Sequence, residues 1–136
     1  MLSAMLSSYS PEQRIRLLRA RVGIAGAGGL GSNAAMMLAR SGIGGLVLID
    51  GDTVEASNLN RQHFMPRHLG RPKVEALAEQ LRELRPDLDV VTHHQWLDRT
   101  NIAQFLPEAE LWLEAMDDAA MKAMFVSAAL SAGTPV

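Results

Sequence analysis

The chain has no cysteine among its 136 residues. That absence excludes disulfides, thiolate zinc centres and thiol nucleophiles, and it fits the cytoplasmic setting expected here. No apolar run approaches the roughly 20 residues that cross a bilayer. The apolar start, Met1-Leu2-Ser3-Ala4-Met5-Leu6, lacks the basic residues that open a secretory signal. Neither sign of charge dominates: 13 Lys and Arg stand against 15 Asp and Glu, a formal net charge of −2. A global affinity for nucleic acid is therefore not expected. Repeats and low-complexity tracts are missing, and no serine sits on a G-x-S-x-G elbow. What remains is a chain that is 48% apolar, long enough for one domain with a real core.

Along that chain, strand patterns alternate with helix patterns. Ser10-Pro11-Glu12-Gln13 reads as a capping box opening a helix that runs to about Arg19. Arg21–Ala25 is predicted as the first strand, Ser32–Ser41 as a crossover helix and Leu46–Ile49 as the second strand. Residues 51–71 are polar and irregular. Pro72 then launches an amphipathic helix on Val74, Leu77, Leu81 and Leu84. Asp87–His93 is read as the third strand, Thr100-Asn101 as the cap of a short helix ending near Leu106, and Glu110–Ala115 as the fourth strand. A helix over Asp118–Ser131 follows, and Gly133–Val136 is read as the beginning of a fifth strand. This alternation predicts a Rossmann-like, doubly wound α/β fold with a mainly parallel sheet of order 3-2-1-4 plus a truncated fifth strand. Residues 1–20 are expected to form an N-terminal helical arm and residues 21–136 the main domain. Ligands on such a sheet sit at the carboxyl ends of the strands, near the switch point between strands 1 and 4.

Four features converge on that point. The turn Gly26-Ala27-Gly28-Gly29-Leu30-Gly31 matches G-x-G-x-x-G between a strand and a helix, where backbone N–H groups meet phosphate. The alternative is a packing turn without a ligand. Asp50, 19 residues beyond Gly31 at the end of strand two, is placed to accept from ribose hydroxyls, unless it is only a solvated turn residue. NAD and ATP serve these two features equally. From Arg61 to Lys73 there are four cations, two histidines and no acid, which favours a triphosphate with magnesium over a dinucleotide. Lys73 lies in the first turn of its helix, where the macrodipole disfavours a cation, so either an anion is nearby or the side chain snorkels away. Asp117-Asp118 follows strand four as a magnesium ligand or a helix cap. His93-His94 lacks a third metal ligand and reads as surface.

Taken together, Gly26–Gly31, Asp50-Gly51-Asp52-Thr53-Val54, Ser57-Asn58-Leu59-Asn60-Arg61-Gln62, Gly70-Arg71-Pro72-Lys73 and Asp117 resemble the ThiF/MoeB-type adenylyltransferases of the ubiquitin-activating-enzyme superfamily. The likeness runs from about residue 12 onward. The stretch Arg40–Gly44 and the residues around Lys122 are most similar to the branch that activates the sulfur carrier of thiamine biosynthesis. The resemblance implies ATP and Mg²⁺ over Gly26, Gly28, Gly29 and Gly31, with Asp50 on the ribose. It implies nucleotide contacts from Asn58, Arg61 and Gln62, charge neutralisation by Lys73, and magnesium held by Asp117. Arg61, Lys73 and Asp117 are thus the expected catalytic residues. The partner implied is a ubiquitin-like sulfur-carrier protein, whose C-terminal glycine carboxylate attacks the α-phosphate to give an acyl-adenylate and pyrophosphate. Positioning and electrostatics suit that reaction, because a carboxylate needs no general base.

The chain departs from the family pattern in lacking Cys-x-x-Cys pairs, a transfer cysteine and the further strands that build the carrier groove. The expectation is the N-terminal portion of a longer domain, forming a homodimer through apolar surface near the Met- and Ala-rich last helix. Other readings are a non-catalytic nucleotide- or partner-binding module, adenylation of a carboxylate on a modified tRNA nucleoside, and, ranked last, an NAD oxidoreductase.

Overall fold

The computed structural model describes residues 1–136. Helices α1 (Leu2–Met5) and α2 (Pro11–Arg19) precede strand β1 (Arg21–Ala25), helix α3 (Gly29–Arg40) and strand β2 (Gly45–Ile49). Then come α4 (Lys73–Leu84), β3 (Asp89–His93), α5 (Ile102–Phe105), β4 (Leu111–Glu114) and α6 (Ala119–Ala132). Short 3₁₀ turns at Ala56–Asn60 and Pro66–His68 lie between β2 and α4. The capping box on α2 forms as predicted, with Gln13 N–H donating to Ser10 Oγ at 3.2 Å and Ser10 N–H to Gln13 Oε1 at 2.9 Å.

All four strands are parallel in the order β3-β2-β1-β4, as the alternation predicts. Successive residues of a strand face opposite sides of the sheet, and the packing of β2 follows that rule. Leu46 and Leu48 join Ala35, Val74, Leu77 and Leu81 on the side of α3 and α4. Val47 and Ile49 join Ile102, Phe105, Trp112 and Phe125 on the side of α5 and α6. With helices on both faces, the central strands are buried from Val22 to Ala25 and from Gly45 to Ile49, which is why those stretches read as continuous apolar runs. Two close contacts fix this packing. The Trp112 indole leaves no room for a Cβ at Gly23, which would lie 2.4 Å from the ring, and its Nε1–H donates to the Leu106 carbonyl at 3.0 Å. Arg85, fully buried beyond α4, donates to the carbonyls of Ala39 at 3.1 Å and Ile43 at 2.8 Å, closing the carboxyl end of α3.

The structure differs from the sequence reading at several places. Helix α3 starts at Gly29, three residues earlier than expected, because the glycine turn itself supplies the first helical turn. Asn101 does not cap α5 with its side chain. Its amide oxygen instead accepts from Asp98 N–H at 2.9 Å, and its nitrogen donates to the Trp96 carbonyl at 2.9 Å. No fifth strand forms. After α6 the chain turns through Gly133 at φ 68°, and Trp112 N–H donates to the Pro135 carbonyl at 3.0 Å. A single rung is not a ladder.

Candidate functional site

The glycine turn divides into two kinds of glycine. Gly26 has φ 103°, and a Cβ there would lie 2.8 Å from the Ala115 carbonyl oxygen. A Cβ at Gly31 would lie 1.7 Å from the Gly26 oxygen. The fold requires both. Gly28 and Gly29 are different: added Cβ atoms would make ordinary contacts, 3.6 Å from Gln62 Nε2 and 3.9 Å from Arg61 Cγ. Packing does not demand their bareness. What they keep open is a cleft of about 430 Å³ that both residues line, at the start of a 12-residue helix with no side-chain cap. Unpaired N–H groups and the positive end of the helix dipole therefore face that space.

The cleft lies at the carboxyl ends of β1, β2 and β4 and falls within the usual size range of small-molecule sites. Its walls carry four acids, Asp50, Asp52, Asp117 and Asp118, against three cations, Arg61, Lys73 and Lys122. Asp50 holds the turn: its Oδ2 accepts from Ala27 N–H at 2.7 Å and its Oδ1 from Asp52 N–H at 2.8 Å. Each oxygen keeps a second lone pair. Lys73 is 5% exposed, and its Nζ lies 3.2 Å from Asp52 Oδ2. The anion that its placement against the helix dipole called for is thus, in part, a neighbouring carboxylate. Asp118 and Asp117 separate their duties. Asp118 caps α6, accepting from Met121 N–H at 2.9 Å, which leaves the exposed Asp117 to the cleft.

Of the residues expected at the site, the cleft gathers Gly26, Gly28, Gly29, Asp50, Arg61, Gln62, Lys73 and Asp117. Gly31 shapes the turn from behind. Asn58 is buried and does not line the cleft; its Oδ1 accepts from Glu55 N–H at 2.8 Å and so caps the 3₁₀ turn. Arg61 donates to the Ser57 carbonyl and to Asn60 Oδ1, each at 3.0 Å. Gln62 lines the cleft, and its buried Oε1 has no hydrogen-bond partner. His93 lies 2.7 Å from Glu108 and packs on Phe105, and His94 contacts the Gly51 carbonyl. No group of three metal-ligating side chains is present.

Three charged or aromatic lining residues were given no site role from the sequence. Asp52 stands two residues beyond Asp50, and that spacing was the available signal. Trp96 follows β3 and is 69% exposed at the cleft, with its ring against Gly51, where a Cβ would lie 2.3 Å from Cδ2. A tryptophan just past a strand's carboxyl end was its signal. The loop behind it is built on Asp98, whose carboxyl is held below its usual range by hydrogen bonds from the Thr100 hydroxyl and N–H. Lys122, third, lies 3.1 Å from Glu114 Oε2, while Glu114 Oε1 accepts from Met116 N–H at 2.7 Å and fixes the loop leading to Asp117.

Fold and cleft together define a class: a Rossmann-like α/β domain whose glycine turn, strand-end carboxylates, arginine and lysine meet in one cavity. More particularly, the chain belongs to the ThiF family, whose profile matches residues 2–136. It is similar to the adenylyltransferase and sulfurtransferase uba4 of Emericella nidulans, at 36% identity over 133 residues, covering 97% of this chain and 28% of the relative. It is 37% identical over 115 residues to the SAMP-activating enzyme E1 of Haloferax volcanii, covering 84% of this chain and 43% of that one. The chain thus spans less than half the length of these curated relatives. Among solved structures, E. coli tRNA N6-threonylcarbamoyladenosine dehydratase, TcdA, in complex with ATP superposes with a TM-score of 0.94. The identity there is 29%, over 98% of this chain and 56% of the other. No helix is long and apolar enough to cross a membrane.

Proposed function

We propose that the cleft binds ATP with Mg²⁺ and adenylates the C-terminal glycine carboxylate of a ubiquitin-like sulfur-carrier protein, in thiamine biosynthesis or a related sulfur-transfer pathway of the cytoplasm. The observation that carries this reading is the bareness of Gly28 and Gly29, which packing does not require and phosphate approach does. The relatives' names, adenylyltransferase and activating enzyme, support the reaction class. The ATP complex of a solved neighbour supports the ligand.

In this mechanism a carboxylate oxygen of the carrier attacks the α-phosphorus. A C(O)O–P bond forms, the bond between the α-phosphorus and its bridging oxygen breaks, and pyrophosphate leaves with the electron pair. No proton is moved, so the chain's contribution is placement and charge. The N–H groups at the start of α3 cradle phosphate oxygens. Asp50 uses its remaining lone pairs for the ribose. Lys73, held in place by Asp52, and Arg61 meet the charge that develops on the transferring and leaving groups. With four acids against three cations lining the cleft, a triphosphate needs a further cation beside it. Asp117, free of the capping duty, is the hard oxygen donor that suits Mg²⁺, and the bound ion would supply Lewis-acid neutralisation of the phosphates. We include in the proposal a homodimer formed through the apolar surface that leaves Leu130 70% exposed on α6.

The direct test is ATP–pyrophosphate exchange with a purified carrier ending in glycine. Carrier-dependent exchange is expected. Tighter binding of NAD than of ATP would sink the reading, and ATP binding without exchange would support a non-catalytic module. A second substrate, a carboxylate on a modified tRNA nucleoside, is favoured by the superposition on TcdA. Release of AMP that depends on tRNA rather than on the carrier would select it.

A further inference from the structure

Arg61 and Gln62 sit in a segment without α-helix or strand between β2 and α4, yet a phosphate site needs them held still. Their anchor is the first turn of α3. Asn33 Nδ2 donates to the Arg61 carbonyl at 3.1 Å and to the Gly29 carbonyl at 2.6 Å. Ser32, fully buried, accepts from His63 N–H through Oγ at 3.0 Å. The segment is gripped from its other side by Gln80 of α4. Gln80 Nε2 donates to the His63 carbonyl at 2.7 Å, and its Oε1 lies 2.9 Å from His63 Nδ1. Neither Asn33 nor Ser32 lines the cleft.

We infer that Asn33 and Ser32 are positioning residues: they lock the Arg61–His63 segment onto the helix turn that carries Gly29, so that the arginine and the glycine cradle address one ligand as a unit. This inference rests on the nucleotide reading above. The physical content is preorganisation. The Arg61 guanidinium is bonded only within its own loop, to Ser57 and Asn60, so the placement of the Arg61 backbone decides where that guanidinium can reach. An unanchored segment would have to be ordered by the ligand, at the expense of affinity.

The test is a double-mutant cycle on the full chain, with ATP affinity measured calorimetrically for wild type, Asn33→Ala, Arg61→Ala and the double variant. Asn33 is exposed, and alanine favours helix, so the single variant should melt at or above the wild-type temperature. It is expected to bind ATP about fivefold more weakly, in line with the ordering of one rotamer-rich side chain. In the Arg61→Ala background the same change should have no further effect. Ser32→Ala, which strands a His63 N–H, should show the same coupling with some loss of thermal stability. Unchanged affinity of Asn33→Ala, or full additivity of the two single effects, would overturn the inference. If wild type itself fails to bind ATP, the nucleotide reading falls and takes this one with it; that failure is distinguishable because it precedes any substitution.

Discussion

Gly29 and Gly31 stand two residues apart in one motif, yet the structure makes them respond to alanine in opposite directions. At Gly29 the added Cβ meets nothing closer than Arg61 Cγ at 3.9 Å, and the residue is already helical. Glycine to alanine in a helix gains up to about 1 kcal/mol, less in the first turn. We expect a gain of about 0.5 kcal/mol and a melting temperature about 2 °C higher. At Gly31 the Cβ would lie 1.7 Å from a backbone oxygen of Gly26. No rotamer relieves a backbone clash, and overpacking of that severity costs about 3 kcal/mol or more. Much of the protein should therefore be unfolded or insoluble. Ligand affinity should split the two again. The Gly29 methyl would occupy space that a phosphate oxygen needs, and an unwanted methyl in a packed contact costs roughly 1–3 kcal/mol, or about fivefold to 150-fold in ATP affinity. Scanning calorimetry and ATP titration on Gly29→Ala provide the assay. A more stable protein with wild-type ATP affinity would show that the open glycine does not mark the phosphate position.

Four further outcomes follow from the geometry. ATP should change the emission of Trp96 at the cleft but not of Trp112, which is fully buried in the core, so Trp96→Phe should abolish the fluorescence response; a signal that survives would show that the nucleotide does not act on Trp96. Arg85→Met should destabilise the fold by about 3 kcal/mol in urea unfolding, because it strands the Ala39 and Ile43 carbonyls and leaves Asp87 without its partner. Burial, seconded by Arg67 and Arg71 and opposed by Glu79 and Glu83, lowers the pKa of His68 from 6.5. The unfolded chain then takes up the proton first, so stability is complete above about pH 6.5 and falls below it; melting temperatures of His68→Asn, whose amide oxygen can still accept from Met65 N–H, should drop less between pH 7.5 and 5.5 than those of wild type. Removing divalent cations with EDTA should weaken ATP binding far more than AMP binding, since the cleft already carries an excess of acid; equal effects on the two would count against a metal on the phosphates.

The fold was legible in the sequence because its signals are local and mutually consistent. Strand-length apolar runs alternate with helical periods, and the one strong amphipathic stretch, from Val74 to Leu84, becomes α4. What escaped was long-range. Helix α3 starts early because Gly31 packs against Gly26, a contact between turn residues that no periodicity announces. Nothing in the local sequence marks Arg85 for burial, yet it is fully buried, since its partners are carbonyls 42 and 46 residues away. The expected fifth strand, Gly133–Val136, offers Thr134 and Val136 as β-formers but makes only one rung to a neighbour, and a strand exists by pairing rather than by propensity.

The site was legible by residue type and only partly by role. A motif states which groups are available, whereas hydrogen bonding decides which of them are free. Asn58, Asp50 and Asp118 each sit where a ligand contact was conceivable, and each is engaged by backbone N–H groups: Asn58 and Asp118 as caps, Asp50 as the brace of the glycine turn. The groups not so engaged are the carboxylate of Asp117 and the bare backbone at Gly28 and Gly29. All of these face the one cleft that Lys73 and Arg61 also line. A fold that engages Asn58, Asp50 and Asp118 internally, and leaves Asp117 and the bare backbone of Gly28 and Gly29 open to one cleft, keeps hydrogen-bonding capacity where a polyanion would use it.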